Sequence, residues 1–305
     1  NFWGWLRTIL EGVWLLILPT IYPKWLVLEV GADKPGDIES ISVWLKPDVV
    51  VMTHIPDVPV HVEFFESVDD LIQEKLSLIQ SLKKGGILIL NGDDEKVRDL
   101  KLKYGDFDSH LFGFDKNNEI YASHYQVAYT TFAPNGIRFR INDGTNVFPI
   151  EIKGGLGKQH IYPALAAFTT GRALGIDGAA AADSLSNYEL PPVRMRILPG
   201  IKRTVIIDDS YNSSPAAVEE ALSALSNVPR TGRRVAILAD MLELGSYSVP
   251  EHRRIGNLVA ESADLLVAVG VRGKGIANGA RERGMGEESI HEFEKGIDAT
   301  PAIIS

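Results

Sequence analysis

Acidic and imidazole side chains recur at the ends of apolar runs along this sequence, and their types and spacing could do chemistry. Glu29 closes the run Trp25–Glu29. A carboxylate ending an apolar strand is costly unless it caps a helix or meets a cation. A second run, Asp48–Thr53, leads to His54 and, past a proline-containing loop, to His61 and Glu63. An imidazole brought to the same sheet edge as Glu29 is a candidate ligand for a hard cation; a lone one is structural. Lys75 lies at one-turn spacing from Leu71, Ile72, Leu78 and Ile79. A lysine so placed either snorkels to solvent or, if desolvated, is a reactive amine. Asn91-Gly92-Asp93-Asp94 ends a third run, Gly86–Leu90, and reads as a turn with a cap for the next helix.

The second half repeats the pattern. Asp208-Asp209-Ser210-Tyr211-Asn212-Ser213-Ser214-Pro215 ends a strand and opens a helix, with one carboxylate more than a cap needs. Ala239-Asp240-Met241-Leu242-Glu243-Leu244-Gly245 follows the next strand, with His252 beyond it. The glycine-rich stretches Gly154–Lys158 and Gly270–Gly275 lack the spacing of a phosphate-binding loop, and no Gly-x-x-x-x-Gly-Lys-Ser/Thr occurs in the chain.

The elements that must position these residues alternate. Apolar runs at Trp25–Glu29, Asp48–Thr53, Gly86–Leu90, Thr204–Asp208, Arg234–Leu238 and Leu265–Val269 read as parallel strands buried on both faces. Amphipathic stretches at Ser67–Leu82, Pro215–Leu225 and Pro250–Ala263 read as helices between them. Tyr121–Ala128, Gly136–Ile141 and Val147–Ile152 alternate apolar and polar residues and predict a small antiparallel subsheet. Helices are expected at His160–Leu174 and Ala179–Asn187, and Pro191-Pro192 marks a boundary near residue 190. The expected fold class is α/β, a doubly wound and mostly parallel sheet. The expected domains are 23–189 and 190–305, after an apolar segment at 1–22.

Length and composition fit this reading. The 305 residues allow two domains, and 45% hydrophobic with 23% charged residues excludes global disorder. With 40 acidic against 31 basic residues the net charge is −9, which disfavours a nucleic-acid partner. No cysteine is present, so thiolate metal sites and cysteine nucleophiles are excluded. Phe2–Tyr22 is apolar but too short between charges to span a bilayer; it reads as a buried helix or an interfacial one with Trp anchors.

Taken together, these motifs resemble the Mur ligases. Leu28-Glu29-Val30-Gly31-Ala32 with Pro35-Gly36-Asp37-Ile38, Thr53-His54-Ile55 leading to His61-Val62-Glu63, Glu74-Lys75, and Leu90–Asp94 resemble the family's central domain. Asp208–Pro215 with Asp240–Gly245 resembles the C-terminal domain of the members that add D-alanyl-D-alanine to a UDP-N-acetylmuramoyl-tripeptide. The resemblance implies a central ATPase domain and a Rossmann-like C-terminal domain, both incomplete. It implies a monomeric cytoplasmic enzyme of peptidoglycan synthesis that uses ATP and Mg²⁺. Its substrates would be the UDP-muramoyl-tripeptide and D-alanyl-D-alanine, with peripheral membrane contact through Phe2–Tyr22 as a candidate. By family position, Glu29 and His61 would ligate Mg²⁺, and Lys75 would be carbamylated. Asn91 would face adenine with His160 beside it, Arg194 would reach the phosphates and Asp209 the ribose. Asn212 and His252 would follow in the second domain.

The chain departs from the family at His54, Gln159-His160, Pro163 and Ala239. The family's Gly-Lys-Thr loop belongs upstream of Trp25, so residues 1–305 are expected to be an internal piece, without ATP turnover on its own. Two alternatives stay open. One is another Mur-type or folylpolyglutamate synthase-like amide ligase; the other is a catalytically silent relative acting as a binding module.

Overall fold

The computed structural model describes residues 2–18, 23–131, 133–229 and 232–304. They form two compact units, residues 1–31 and 32–305.

In the first unit, Phe2–Ile17 is an α-helix with no buried residue. Trp3, Trp5 and Trp14 are 73%, 71% and 65% exposed, so the buried-helix alternative is not realised. Its two charges, Arg7 and Glu11, sit one turn apart and pair at 2.7 Å. No helix among the described residues is long and apolar enough to cross a membrane. The last residues of the apolar segment, 19–22, lie outside the described residues. Trp25–Glu29 does not form the expected strand. An apolar run becomes a strand only when its amides find a ladder, and among the described residues these enter none.

The second unit is built on a six-stranded sheet whose strands follow one another in chain order: β1 Val49–Met52, β2 Ile87–Asn91, β3 Asp108–Gly113, β4 Ile120–Tyr129, β5 Pro134–Asn142 and β6 Val147–Lys153. Strands β1 to β4 pair in parallel, and β4 to β6 are antiparallel. The hairpins therefore extend the parallel sheet instead of forming a sheet of their own. Strand β2 is buried on both faces. Leu88 and Leu90 join one core with Val50, Met52, Leu76 and Ile79, while Ile89 joins the opposite core with Phe112, Ile161 and Phe168. Burial of each such side chain contributes about 1.5–3 kcal/mol. The helix Val68–Gln80 lines the first face and the helix Ile161–Ala173 the second.

Strands β7 Arg196–Pro199 and β8 Val205–Asp208 form an antiparallel pair, which corrects the expected parallel placement of Thr204–Asp208. Residues 200–204 join the two strands as a short hairpin connection, which antiparallel pairing permits. The last sheet, β9 Val235–Leu238, β10 Leu265–Val269 and β11 Ile290–Phe293, is parallel in the order β11-β10-β9. The helix Pro215–Asn227 serves two cores: Val218 and Leu222 belong to that of the last sheet, and Ala224 to that of the first.

The carboxyl end of β2 is held by Asp93. Its carboxylate accepts from the N–H groups of Phe114 (2.5 Å) and Asp115 (3.0 Å), from Asn118 Nδ2 (3.0 Å) and from the Tyr162 hydroxyl (3.2 Å). Gly113 makes room, since a Cβ there would lie 2.3 Å from Asp93 Oδ1. Asp93→Ala strands these donors, and its expected cost is about 3 kcal/mol, read from urea unfolding midpoints. A loss below about 1 kcal/mol would contradict the role given to this carboxylate.

Candidate active site

The candidate residues collect at the carboxyl ends of the strands, where open α/β sheets bind ligands. After β1 the chain turns through His54 and Ile55, both held by Asp94. His54 Nδ1 lies 2.6 Å and the Ile55 N–H 2.8 Å from Asp94 Oδ2, and Oδ1 caps the next helix through the Val97 N–H at 3.1 Å. Burial pushes this carboxyl up, but the bonds from His54, Ile55 and Val97 outweigh it and hold Asp94 below the usual carboxylate range. Asn91 is buried, with Nδ2 donating to the Thr53 carbonyl (2.8 Å) and Oδ1 accepting from the Asp93 N–H (3.1 Å). Its amide thus braces the ends of β1 and β2.

His61 opens a 3-10 turn, Val62–Phe64, with left-handed backbone (φ 68°). Its Nδ1 is 2.5 Å from Glu243 Oε2, and its Nε2 is 3.5 Å from Asp33 Oδ1. Lys75 is half-buried on its helix, whose first turn is capped by Ser67 Oγ accepting from the Asp70 N–H at 3.1 Å. Burial pushes the Lys75 ammonium below its ordinary value, and no ion pair is formed with it among the described residues. The adjacent Glu74 caps the helix Asp37–Leu45 through the N–H groups of Ile38 (2.7 Å) and Glu39 (3.1 Å). Glu29 lies in the first unit and is exposed.

At the start of β7, the Arg194 guanidinium is exposed and stacks 4.1 Å from the centre of the Tyr211 ring. Asp209 accepts from the Met195 N–H at 3.1 Å, and burial pushes its carboxyl up, with Arg194 pulling it back. Asn212 is exposed on the same loop, its Oδ1 accepting from the Ser213 N–H at 2.8 Å. Arg194, Asp209 and Tyr211 are thus together. His252 is structural: buried, it accepts from the Met241 N–H at Nε2 (3.0 Å) and donates from Nδ1 to the Ser248 carbonyl (2.6 Å). Asp240 takes the N–H groups of Arg272 and Gly273, each at 2.9 Å, so these two amides of the Gly270–Gly275 stretch are already occupied.

Sequence reasoning missed two participants and one pairing. Lys158 lies 5.5 Å from the centre of the Phe114 ring and 6.0 Å from that of Tyr125. Glu220, on the helix Pro215–Asn227, is pushed up by burial and pulled back by Lys158. Glu243 meets His61. The aromatic alternation around Tyr125 was the available signal for Lys158, and nothing local pointed to Glu220; Glu243 stood among the acids after its strand, without its partner. A separate cavity of about 140 Å³, lined by His110, Glu119, Asp143 and Arg172 among others, holds none of the candidate residues.

For a cation, the donor chemistry fits. His61 Nε2 accepts no hydrogen bond, and an imidazole flanked by Asp33 and Glu243 offers nitrogen and oxygen donors to a hard metal. No three such side chains are grouped as a complete set of ligands among the described residues. Mg²⁺ needs few protein ligands, because water and phosphate fill the rest of its shell. For a nucleotide, the exposed guanidinium of Arg194 and the buried, unpartnered Nε2 of His160 are free to make bonds.

That histidine has a consequence for stability. Burial holds His160 down to about 4, against an ordinary 6.5. Between those values the unfolded chain takes up a proton that the folded one refuses. Stability is therefore complete above the unfolded value and falls as the pH drops. The expected loss is about 2 kcal/mol between pH 7 and 5. His160→Asn should remove that part of the loss, as read by urea midpoints at the two pH values; an unchanged slope would place the ring in water.

The Mur ligase middle domain matches residues 19–171, and the Mur ligase glutamate ligase domain matches residues 193–303. The UDP-N-acetylmuramoyl-tripeptide–D-alanyl-D-alanine ligase of Bacillus subtilis is 28% identical over 270 residues, covering 88% of this chain and 56% of the relative. That of Buchnera aphidicola is 30% identical over 239 residues, covering 78% and 50%. The chain thus spans about half the length of these curated relatives. Among solved structures, MurF from Acinetobacter baumannii aligns with a TM-score of 0.78 at 22% identity, over 91% of this chain and 57% of that one. MurF ligase from Thermotoga maritima in complex with ADP aligns at 0.72 and 21%, over 90% and 58%. With one domain matched over half its residues and the second following in order, this chain belongs to the Mur ligase family.

Proposed function

We propose that this chain supplies the central and C-terminal parts of an ATP-dependent ligase that joins D-alanyl-D-alanine to a UDP-N-acetylmuramoyl-tripeptide in the cytoplasm. The observation that carries the reading is the match to ligases of that name across 88% and 78% of the chain, spanning both domains. We take residues 23–189 and 190–305 as its two working parts.

Amide formation from a carboxylate needs a leaving group on the acyl carbon and an amine held in line with it. ATP supplies the leaving group as an acyl phosphate, and Mg²⁺ would offset the charge of the phosphates. In this chain, His61 would hold the cation. Lys75, half-buried and with its ammonium destabilised, is suited to lose a proton and add CO₂. The amine nitrogen bonds the CO₂ carbon, one proton leaves, and the side chain becomes a carbamate anion. Arg194, exposed and lying over the Tyr211 ring, would bind phosphate oxygens; Asp209 and Asn212 would take the ribose side. His160 and Asn91 would flank the base. Asn91's bonds to Thr53 and Asp93 favour a wall over a direct contact.

The complete protein, given UDP-N-acetylmuramoyl-tripeptide and MgATP, should release phosphate only when D-alanyl-D-alanine is added, with one ligated product per phosphate. Release that does not depend on the dipeptide would overturn the reading. Lys75→Ala should lose activity by about 100-fold and regain part of it with short carboxylic acids; full activity would remove Lys75 from the site.

We also propose that the N-terminal helix rests at a lipid surface, on the strength of its exposed Trp3, Trp5 and Trp14. The protein should co-sediment with phospholipid vesicles, and replacing those three residues by Ser should abolish it. Absence of co-sedimentation would sink this part alone.

A further inference from the structure

His61 and Glu243 are far apart in sequence and meet in the fold. Both hold left-handed backbone without being glycine, at φ 68° and 61°. Each such residue costs about 1–3 kcal/mol and persists only where its surroundings impose it. Here a clasp between two turns imposes it. The Glu63 carboxylate accepts from the Gly245 N–H at 3.3 Å. Gly245 abuts the same residue closely, and a Cβ there would stand 3.1 Å from Glu63 Cβ and 3.3 Å from its Cα. Val58, on the loop before His61, packs against the core of the last sheet. The loop that carries His61 is thereby fastened to the loop after β9.

The fastening places a carboxylate on one nitrogen of the imidazole. Glu243 Oε2 stands 2.5 Å from Nδ1, close enough that two opposed lone pairs would repel, so the proton belongs on Nδ1. The oxygen lies off the line of an ideal bond, and Nδ1 has no aligned partner. Glu243 is partly exposed, so its side chain can rotate to complete the bond. Nε2 is then the nitrogen with the free lone pair, and it makes no hydrogen bond among the described residues. A metal-binding histidine needs its other ring nitrogen held in this way by a carboxylate or carbonyl.

We propose that Glu243 is a positioning residue for His61. Delivered from the C-terminal half, its carboxylate accepts a hydrogen bond from the Nδ1–H and so fixes the tautomer whose Nε2 can bind a divalent cation. The imidazole is oriented only while the two loops are clasped, so docking of the C-terminal half completes the site on the central one. The proposal rests on the ligase reading for the role of the cation, and on geometry alone for the orientation of the ring.

The test is nitrogen-15 NMR of the His61 ring in the whole chain at about pH 8.5, above the ordinary imidazole range, with Mn²⁺ titrated by electron paramagnetic resonance. The parent should show Nδ1 protonated and Nε2 bare. Glu243→Ala should move the proton to Nε2, and Gly245→Val, which opens the clasp but keeps Glu243, should do the same. Glu243→Gln, whose amide oxygen can still accept, should restore most of the parent signal. Where the parent binds Mn²⁺, Glu243→Ala should weaken it about tenfold. A ring that keeps its Nδ1 proton in Glu243→Ala overturns the proposal. A proton shift in a parent that binds no Mn²⁺ supports the positioning and counts against the ligase reading instead.

Discussion

Adjacent carboxylates at the end of one doubly buried strand organise everything at the edge where the candidate residues lie. Strand β2 cannot move, because its side chains fill a core on each face. Asp93 and Asp94 follow it directly and spend their oxygens on backbone and side-chain donors from other segments. Asp93 reaches forward to the turn after β3 and to Tyr162. Asp94 reaches back to the chain leaving β1 and caps the short helix after it. Buried or half-buried donors need such partners, and one misplaced acceptor costs as much as several packed methylenes. The loop toward His61 therefore starts from a fixed point.

A second constraint acts between the halves. The helix Pro215–Asn227 puts different faces into two cores, so the C-terminal half is attached to the first sheet by shared packing. At the other point of attachment, polar contacts take over: Glu63 with Gly245 and His61 with Glu243. Apolar packing gives this junction its strength, and the charged contacts give it register. Lys158 and Glu220 follow the same division, one from each half, with the charge of the lysine acting on the carboxyl.

Much of this was legible in the residues. The helix carrying Lys75 follows from apolar residues at helical spacing and from Ser67 as its cap. The turn reading of Asn91–Asp94 was correct in kind, because Asp at a strand end followed by a helical stretch has few other uses. Trp25–Glu29 was misread, since an apolar run looks the same whether or not a ladder awaits it. The direction of Thr204–Asp208 was hidden for a related reason: parallel and antiparallel strands share a period of two.

The sequence by itself determined several of the helices and strands, and that acids and histidines follow the strands, because periodicity and capping act over a few residues. Only the tertiary structure decided which of those side chains meet. His61 with Glu243, and the buried Nε2 of His160, depend on loops brought together from far along the chain. Local propensity carries no record of that distance; packing of the shared cores sets it.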